Sequence, residues 1–504
     1  MRRPPLASWG PLAAALAAGA LLTFAFAPFN IWPLAILCPA LQMFLWQGTT
    51  PRRAAALGFS FGVGTFGAGT WWLYISIHIF GLAPVWLTLL LVMLLVAVMA
   101  SYQALLGWLV ARLAPVAGGW RCYAALPALW LLMEWWRGWF LSGFPWLSLG
   151  YSQTDTWLRG YAPVVGVYGL TLLLLLQSGA LLALLRGGAR ARLGAVALLV
   201  IVWAGGRGLD SVSWTHAQGT LLPVAIVQGA IPQDEKWQLD NRDRTMERYA
   251  ALNQRAYGAR LIVWPESAIP EMANEIANFL AATQANSRAH DADVIMGVVR
   301  AADNGKDYYN SILALTGDVA FYDKRHLVPY AEYFPVPAFV RKWLRLLSLP
   351  YSDFTAGAAR QAPLRAGAAL LAPTICYEDN FGNAQRALVA RSNLMVNVTN
   401  DAWFGRSPAR YQHLQISRLR ALEAGRYLLR AANDGVSAII GPRGELAGVA
   451  AEYQPDVLRG TVELRDGLSP YTRLGDGPVL LLALAGAAAA AWRRRRLRPR
   501  HGPG

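Results

Sequence analysis

Apolar runs of membrane-span length fill the first two hundred residues of the chain and return once near its end. They lie at 11–28, 32–47, 54–79, 85–111, 122–140, 163–185, 193–206 and 477–492, and predict eight transmembrane helices, since a bilayer core takes about 20 apolar residues per helix. Two of them, 32–47 and 193–206, are short for the task. Arg2-Arg3 before 11–28 imitates a signal peptide, but further apolar runs follow at once, so 11–28 reads as a first span. From about 220 the texture changes. Strand-length runs (224–228, 261–264, 294–299, 311–315, 319–322, 369–376, 394–399, 437–440 and 460–462) alternate with helical stretches at 240–257, 274–289, 382–391 and 411–431. That alternation predicts a layered α/β sandwich. The expected organisation is a membrane region of about seven helices over 1–206, an α/β domain over 207–475, and a last span with a basic tail over 476–504.

Composition agrees with lipid as solvent. The 504 residues are 55% hydrophobic and only 15% charged, with mean hydropathy +0.30, whereas soluble domains carry about 25% charge. The net charge of +16 is not spread along a groove. Arginines gather at the edges of apolar runs (Arg2-Arg3, Arg52-Arg53, Arg112, Arg121, Arg186 to Arg192, Arg493 to Arg496), which encodes topology and argues against nucleic-acid binding. With these loops inside, both termini are cytoplasmic and the large polar domain is extracytoplasmic. Trp71-Trp72, Trp135-Trp136 and Trp139 read as interfacial anchors. Loop 141–162 is too apolar for an ordinary exterior loop, so it is expected to dip into the interface and line a lipid access route, with Phe144 and Trp146 as contacts. Glu134 lies inside an apolar run, where an ionisable group is costly; no partner for it is legible.

Three strands of the α/β domain run into a reactive side chain. Leu261-Ile-Val-Trp-Pro-Glu266 ends in a carboxylate, Val319-Ala-Phe-Tyr-Asp-Lys324 in an ammonium, and Ala369-Leu-Leu-Ala-Pro-Thr-Ile-Cys376 in a thiol. A strand end holds a nucleophile rigidly while the following loop leaves it accessible. Of the three cysteines, Cys38 and Cys122 fall in the membrane region, so Cys376 is an unpaired thiol in an oxidising compartment. A thiol needs a base or a nearby cation to become a nucleophile. Glu266 suits the base, and Lys324 suits a cation that lowers the thiol's pKa and stabilises an oxyanion, together with the backbone N–H of Tyr377. Glu332, eight residues beyond Lys324, and Glu378 are candidates to hold geometry and charge balance; ordinary loop salt bridges are the other reading of both. Trp403, in a glycine-ended loop, and the basic, apolar stretch Arg341–Pro350 suit a lipid-facing side. His326 and His413 share no metal-ligand spacing with Cys376, and no glycine-rich phosphate loop is present, so neither metal nor nucleotide is expected.

In order and setting, Glu266, Lys324 and Cys376 resemble the Glu-Lys-Cys triad of the nitrilase (carbon–nitrogen hydrolase) superfamily, and the wider pattern is similar to its membrane branch, the apolipoprotein N-acyltransferases. The resemblance rests on Trp264-Pro-Glu-Ser267, Tyr322-Asp-Lys-Arg-His-Leu-Val-Pro-Tyr330, Glu332-Tyr333, Ile375-Cys-Tyr-Glu378, Asn397-Val-Thr-Asn-Asp-Ala-Trp-Phe-Gly405 and Arg418-Leu-Arg-Ala-Leu-Glu423. Ala331 departs from the glycine usual in the family, which touches only loop detail. The resemblance implies an α-β-β-α sandwich on the periplasmic side of a bacterial inner membrane. It also implies a phospholipid acyl donor, a diacylglyceryl apolipoprotein acceptor and an acyl-thioester on Cys376, in the last step of lipoprotein maturation. Trp237 matches a family loop position near the substrate, and Tyr330 and Tyr333 are further substrate contacts in the matched motifs. No cofactor and a monomer are expected. Two other readings stay open: a membrane-tethered amidase using water as acceptor, and a non-catalytic scaffold or transporter.

Overall fold

Twelve strands carry the C-terminal part of the computed structural model, which describes residues 9–114, 124–302, 304–305, 307–333 and 354–497. They are β1 (His216–Gln228), β2 (Leu261–Val263), β3 (Asp293–Ala301), β4 (Tyr308–Leu315), β5 (Ala320–Asp323), β6 (Leu364–Ala366), β7 (Ala369–Ile375), β8 (Leu394–Thr399), β9 (Leu428–Ala432), β10 (Ala438–Ile440), β11 (Leu446–Val449) and β12 (Asp456–Asp466). They form two six-stranded sheets, ordered β12-β1-β2-β3-β4-β5 and β11-β10-β9-β8-β7-β6. β1, β2 and β3 are parallel neighbours, as are β7, β8 and β9.

Period-2 alternation explains why the sheets layer. Val224 and Ile226 of β1 join Leu371 of β7 and Val396 of β8 in one core between the sheets. Their neighbours Ala225 and Val227 point the other way, into a second core with Tyr249 and Leu252 of helix Arg242–Arg255 and Leu280 of helix Ala277–Ala289. A strand buried on both faces reads as a continuous apolar run, and at about 25 cal/mol per Å² each such face contributes heavily to stability.

The chain divides into two units: 1–71, 86–212 and 474–504 form the first, and 72–85 and 213–473 the second. In the first, Val85–Leu113, Trp157–Arg186 and Ala189–Asp210 are long and apolar enough to cross a membrane. Shorter apolar helices cover Gly10–Ala25 and Leu34–Leu45. Pro51–Gly69, Leu126–Arg137 and Gly477–Leu497 complete the helices at the expected runs, the last carrying its arginine run within the helix. The expected span 193–206 is longer than its apolar run because Ala189–Arg192 already turn as helix. The expected span 54–79 ends instead at Gly69, and 72–85 belongs to the second unit, where Ser76 Oγ donates to the Trp403 carbonyl (2.7 Å) and Trp72 packs on Phe404. Glu134 has partners after all: its carboxylate accepts from Thr171 Oγ1 (2.6 Å) and the Leu149 N–H (3.4 Å). Arg2-Arg3, Arg121, Cys122, the basic stretch 341–350 and the tail beyond 497 lie outside the described residues.

One element was misjudged in kind. The helical pattern expected over 411–431 stops at Ala424, because Gly425 takes a left-handed conformation (φ 63°) that caps helix Ala409–Ala424, and Leu428–Ala432 then form β9 in the middle of the second sheet. Glycine there satisfies the terminal carbonyls without a Cβ clash.

Candidate active site

Glu266, Lys324 and Cys376 all follow strand ends: β2, β5 and β7. The loop that carries Glu266 is tied across β3. Gly297 N–H donates to Pro265 O (3.1 Å), Ala268 N–H donates to Gly297 O (3.0 Å), and a Cβ at position 297 would meet Glu266 Cα at 2.5 Å. Only glycine fits there, so β3 presses the Glu266 loop into one place.

Lys324 is 1% exposed and its ammonium sits between two carboxylates, 2.7 Å from Glu332 Oε1 and 3.5 Å from Glu266 Oε1. Asn310 Nδ2 donates to both acids, at 2.7 Å to Glu266 and 3.0 Å to Glu332, and Glu332 Oε2 accepts from the Val328 N–H (2.8 Å). Burial alone would lower the Lys324 pKa, but Glu332, Glu266 and Cys376 together hold it above the ordinary lysine value, so it is a fixed cation. A second lysine lies behind Glu266. Lys236 is fully buried and donates from Nζ to the Glu266 carbonyl (3.2 Å); burial lowers its pKa to about 8, against an opposing pull from Glu266.

Cys376 is half-buried and holds φ at 49°, a left-handed conformation that costs a non-glycine residue of order 1–3 kcal/mol. Lys324 does pull the thiol's pKa down, as expected, but it does not set the net shift. Burial and the Glu266 carboxylate push the pKa well above the ordinary thiol range, and Lys324 and the nearby Thr399 hydroxyl only partly offset this. The resting sulfur is therefore a protonated thiol beside a carboxylate, which suits proton transfer to Glu266 as the sulfur attacks. Thr399→Val keeps the volume but removes the hydroxyl, which donates to Asp401 Oδ1 (3.1 Å) and favours the thiolate, a group worth about 0.5–1.5 kcal/mol. Alkylation of Cys376 by iodoacetamide at pH 8, followed by peptide mass, should slow roughly two- to tenfold.

Glu378 is buried and serves as a clamp. Its carboxylate accepts from the N–H groups of Ile375 (2.9 Å), Arg325 (2.8 Å) and His326 (3.2 Å) and from Tyr322 Oη (3.0 Å), tying the nucleophile's strand end to the loop after Lys324. The Tyr377 ring packs edge-on against Phe381 (5.3 Å), on which His326 stacks (3.7 Å). Of the expected substrate contacts, Trp237 is 52% exposed beside buried Lys236, Trp403 is half-buried against Phe80, and Tyr330 is exposed. Tyr330 N–H donates to Tyr333 O (2.7 Å), closing the turn that presents Glu332. Trp146 corrects its expectation. It is 2% exposed in the core of the first unit and stacked near Phe144, because Arg137 donates to the carbonyls of Phe144 and Trp146 and holds that loop down.

Sequence reasoning missed Lys236, Asn310 and Thr399, and beneath the nucleophile it missed a buried set of Asp379, Asp401, His413, Ser417 and Arg430. His413 Nδ1 lies 2.8 Å from Asp401 Oδ1, Arg430 Nη2 donates to Asp401 Oδ2 (2.6 Å), and Ser417 Oγ donates to Asp379 Oδ2 (2.5 Å). Burial would raise the Asp401 carboxyl, yet Arg430 and His413 hold it well below the usual carboxylate range. Thr399 and Asp401 fall within the Asn397–Gly405 motif and His413 was weighed as a metal ligand, but none of the three was given this place; Lys236 was signalled by its neighbour Trp237.

Residues 18–180 match the apolipoprotein N-acyltransferase N-terminal domain, and residues 223–467 match the carbon–nitrogen hydrolase family. The apolipoprotein N-acyltransferase of Methylococcus capsulatus is 41% identical over 96% of this chain and 96% of its own. That of Nitrosomonas europaea is also 41% identical, over 96% and 98%. The enzyme of Vibrio cholerae is 38% identical over 97% and 98%. With both parts of the chain matched and a Glu-Lys-Cys cluster at the strand ends of the second, the chain belongs to the apolipoprotein N-acyltransferase family.

Proposed function

We propose that this N-acyltransferase moves a fatty acyl chain from a phospholipid, through a thioester on Cys376, to the α-amine of an S-diacylglyceryl cysteine at the N-terminus of an apolipoprotein. The observation that carries the reading is the cluster at three strand ends, in which Lys324 is pinned between Glu266 (3.5 Å) and Glu332 (2.7 Å) and Cys376 follows β7 within their field. In the first half, Glu266 takes the thiol proton as sulfur attacks the ester carbonyl. Lys324 and the Tyr377 N–H stabilise the oxyanion, the ester C–O bond breaks, and the lysophospholipid leaves with the proton from Glu266. In the second half, the amine attacks the thioester and loses a proton to Glu266. The C–S bond breaks, an amide forms and the sulfur is reprotonated. Glu332 and Glu378 serve by fixing the charge balance and the loop geometry, and Trp237, Trp403, Tyr330, Tyr333 and Phe144 are substrate contacts.

Aminolysis outruns hydrolysis where lipid and protein keep water from the thioester, which is a physical reason to couple this site to a membrane. Apolar side chains such as Leu89, Met93, Leu94, Ile201, Leu481 and Leu482 are exposed on helices of the first unit, as lipid-facing positions are. The arginine pattern supports a bacterial cytoplasmic membrane enzyme with both termini inside and the second unit on the outer face. We take the enzyme to be a monomer.

Intact mass spectrometry after exposure to phospholipid tests the reading. The protein should gain one acyl chain, release lysophospholipid, and lose the adduct to hydroxylamine and to a diacylglyceryl peptide bearing a free amine. Turnover of soluble amides with no adduct would overturn the reading and favour the amidase, and neither adduct nor turnover would overturn it and reopen the scaffold.

A further inference from the structure

The carbonyl of Cys376 points into the buried polar set, where His413 Nε2 lies 3.2 Å from it and Asn397 Nδ2 lies 3.5 Å from it. His413 Nδ1 lies 2.8 Å from Asp401 Oδ1. A backbone carbonyl and an ionised carboxylate can only accept, so a ring lying between them donates from both nitrogens and carries both protons. The surrounding charges suit an imidazolium. Asp379 and Asp401 balance Arg430 and His413, with every side chain of the set buried. Arg410, on the same helix Ala409–Ala424, is engaged with Asp434 and Glu452 and stacks on Tyr453, and Phe404 packs edge-on against the His413 ring.

The Cys376 carbonyl and the Tyr377 N–H belong to one peptide group. That group is planar and trans, so a bond that fixes the direction of the carbonyl fixes the N–H on the opposite side. A cation on the carbonyl oxygen also polarises the amide and strengthens its N–H as a donor. The φ of 49° at Cys376 makes such a hold necessary, because the strained residue would otherwise relax and rotate this peptide.

We infer that His413 is a positioning residue for acyl transfer: an imidazolium, held by Asp401, that grips the Cys376 carbonyl from beneath and so aims and strengthens the Tyr377 N–H toward the forming oxyanion. This rests on the thioester reading above. It gives the buried charges a task distinct from holding the sheet together, and it separates two properties that the nucleophile needs. Reactivity of the sulfur comes from Glu266 and Lys324, whereas stabilisation of the tetrahedral oxygen depends on the peptide as well as on Lys324.

The test uses the full-length enzyme in detergent or vesicles and compares two reactions of Cys376. Alkylation by iodoacetamide is a displacement at saturated carbon that forms no oxyanion; acylation by phospholipid forms one. His413→Gln retains a neutral amide donor but no charge. It should lower the acylation rate and kcat roughly 10- to 100-fold, somewhat less than the loss of a whole oxyanion donor, with KM and the alkylation rate within about twofold of wild type. Asn397→Ala, which removes the longer bond to the same carbonyl, should show the same pattern at a smaller fold-change. Acylation at the wild-type rate in His413→Gln would overturn the inference. So would equal loss of alkylation and acylation in both variants, the mark of a purely structural role. Absence of an acyl adduct in the wild type would instead remove the thioester reading on which it rests.

Discussion

Cys376→Ala is expected to lower acyl transfer by roughly four to six orders of magnitude, the scale seen when the nucleophile of a catalytic set is removed. The loss should fall almost wholly on chemistry. Lys324 keeps its contacts with Glu332 and Glu266, Glu378 keeps the N–H groups of Ile375, Arg325 and His326, and the carbonyl of residue 376 keeps its place above His413. None of these bonds involves the sulfur. The variant should therefore unfold within a few degrees of wild type and still bind phospholipid, and intact mass should show no acyl adduct. Cys376→Ser is the sharper comparison. A hydroxyl is far less acidic than a thiol, and the site's burial and Glu266 already push the thiol upward, so serine should be nearly as inactive as alanine. Transfer by Cys376→Ala within a hundredfold of wild type would mean that the carboxylate–lysine cluster passes the acyl chain directly to the amine, with no covalent intermediate.

What the sequence revealed follows the range of the interactions. A buried strand such as Ala369–Ile375 announces itself locally as an uninterrupted apolar run, and the reactive residues at the ends of β2, β5 and β7 were legible because the strands around them were. β9 was not, because Leu428–Ala432 continue a helix-compatible composition and the decisive feature is the left-handed Gly425 just before. Polar partners far apart in sequence were invisible for the same reason. Glu134 finds Thr171 37 residues on, and Lys236 finds the Glu266 carbonyl 30 residues on. His413 was weighed only as a metal ligand, and its actual contacts, Asp401 and the Cys376 carbonyl, exist only once β7, β8 and helix Ala409–Ala424 have packed. Likewise, the pull of Lys324 on the thiol was legible and has the expected direction, but the burial and the Glu266 charge that outweigh it exist only in the folded site.

Lys324→Met separates the two tasks of that residue. With the ammonium gone, Glu266 and Glu332 keep Asn310 Nδ2, at 2.7 and 3.0 Å, and Glu332 keeps the Val328 N–H (2.8 Å), but no cation separates the two carboxylates. Removing one partner of a buried ion pair costs about 3–5 kcal/mol, and here the residue lost serves two carboxylates. The variant should melt well below wild type at pH 7. Glu332→Gln in the same chain removes one of the two charges and should restore most of the stability at pH 7. Activity should not follow that recovery, because the oxyanion still lacks its cation: Lys324→Met and the double variant should both transfer acyl chains at least roughly a thousandfold more slowly than wild type. Recovery of transfer together with stability in the double variant would show that Lys324 acts only by neutralising its two acids, and that the Tyr377 N–H carries the oxyanion without it.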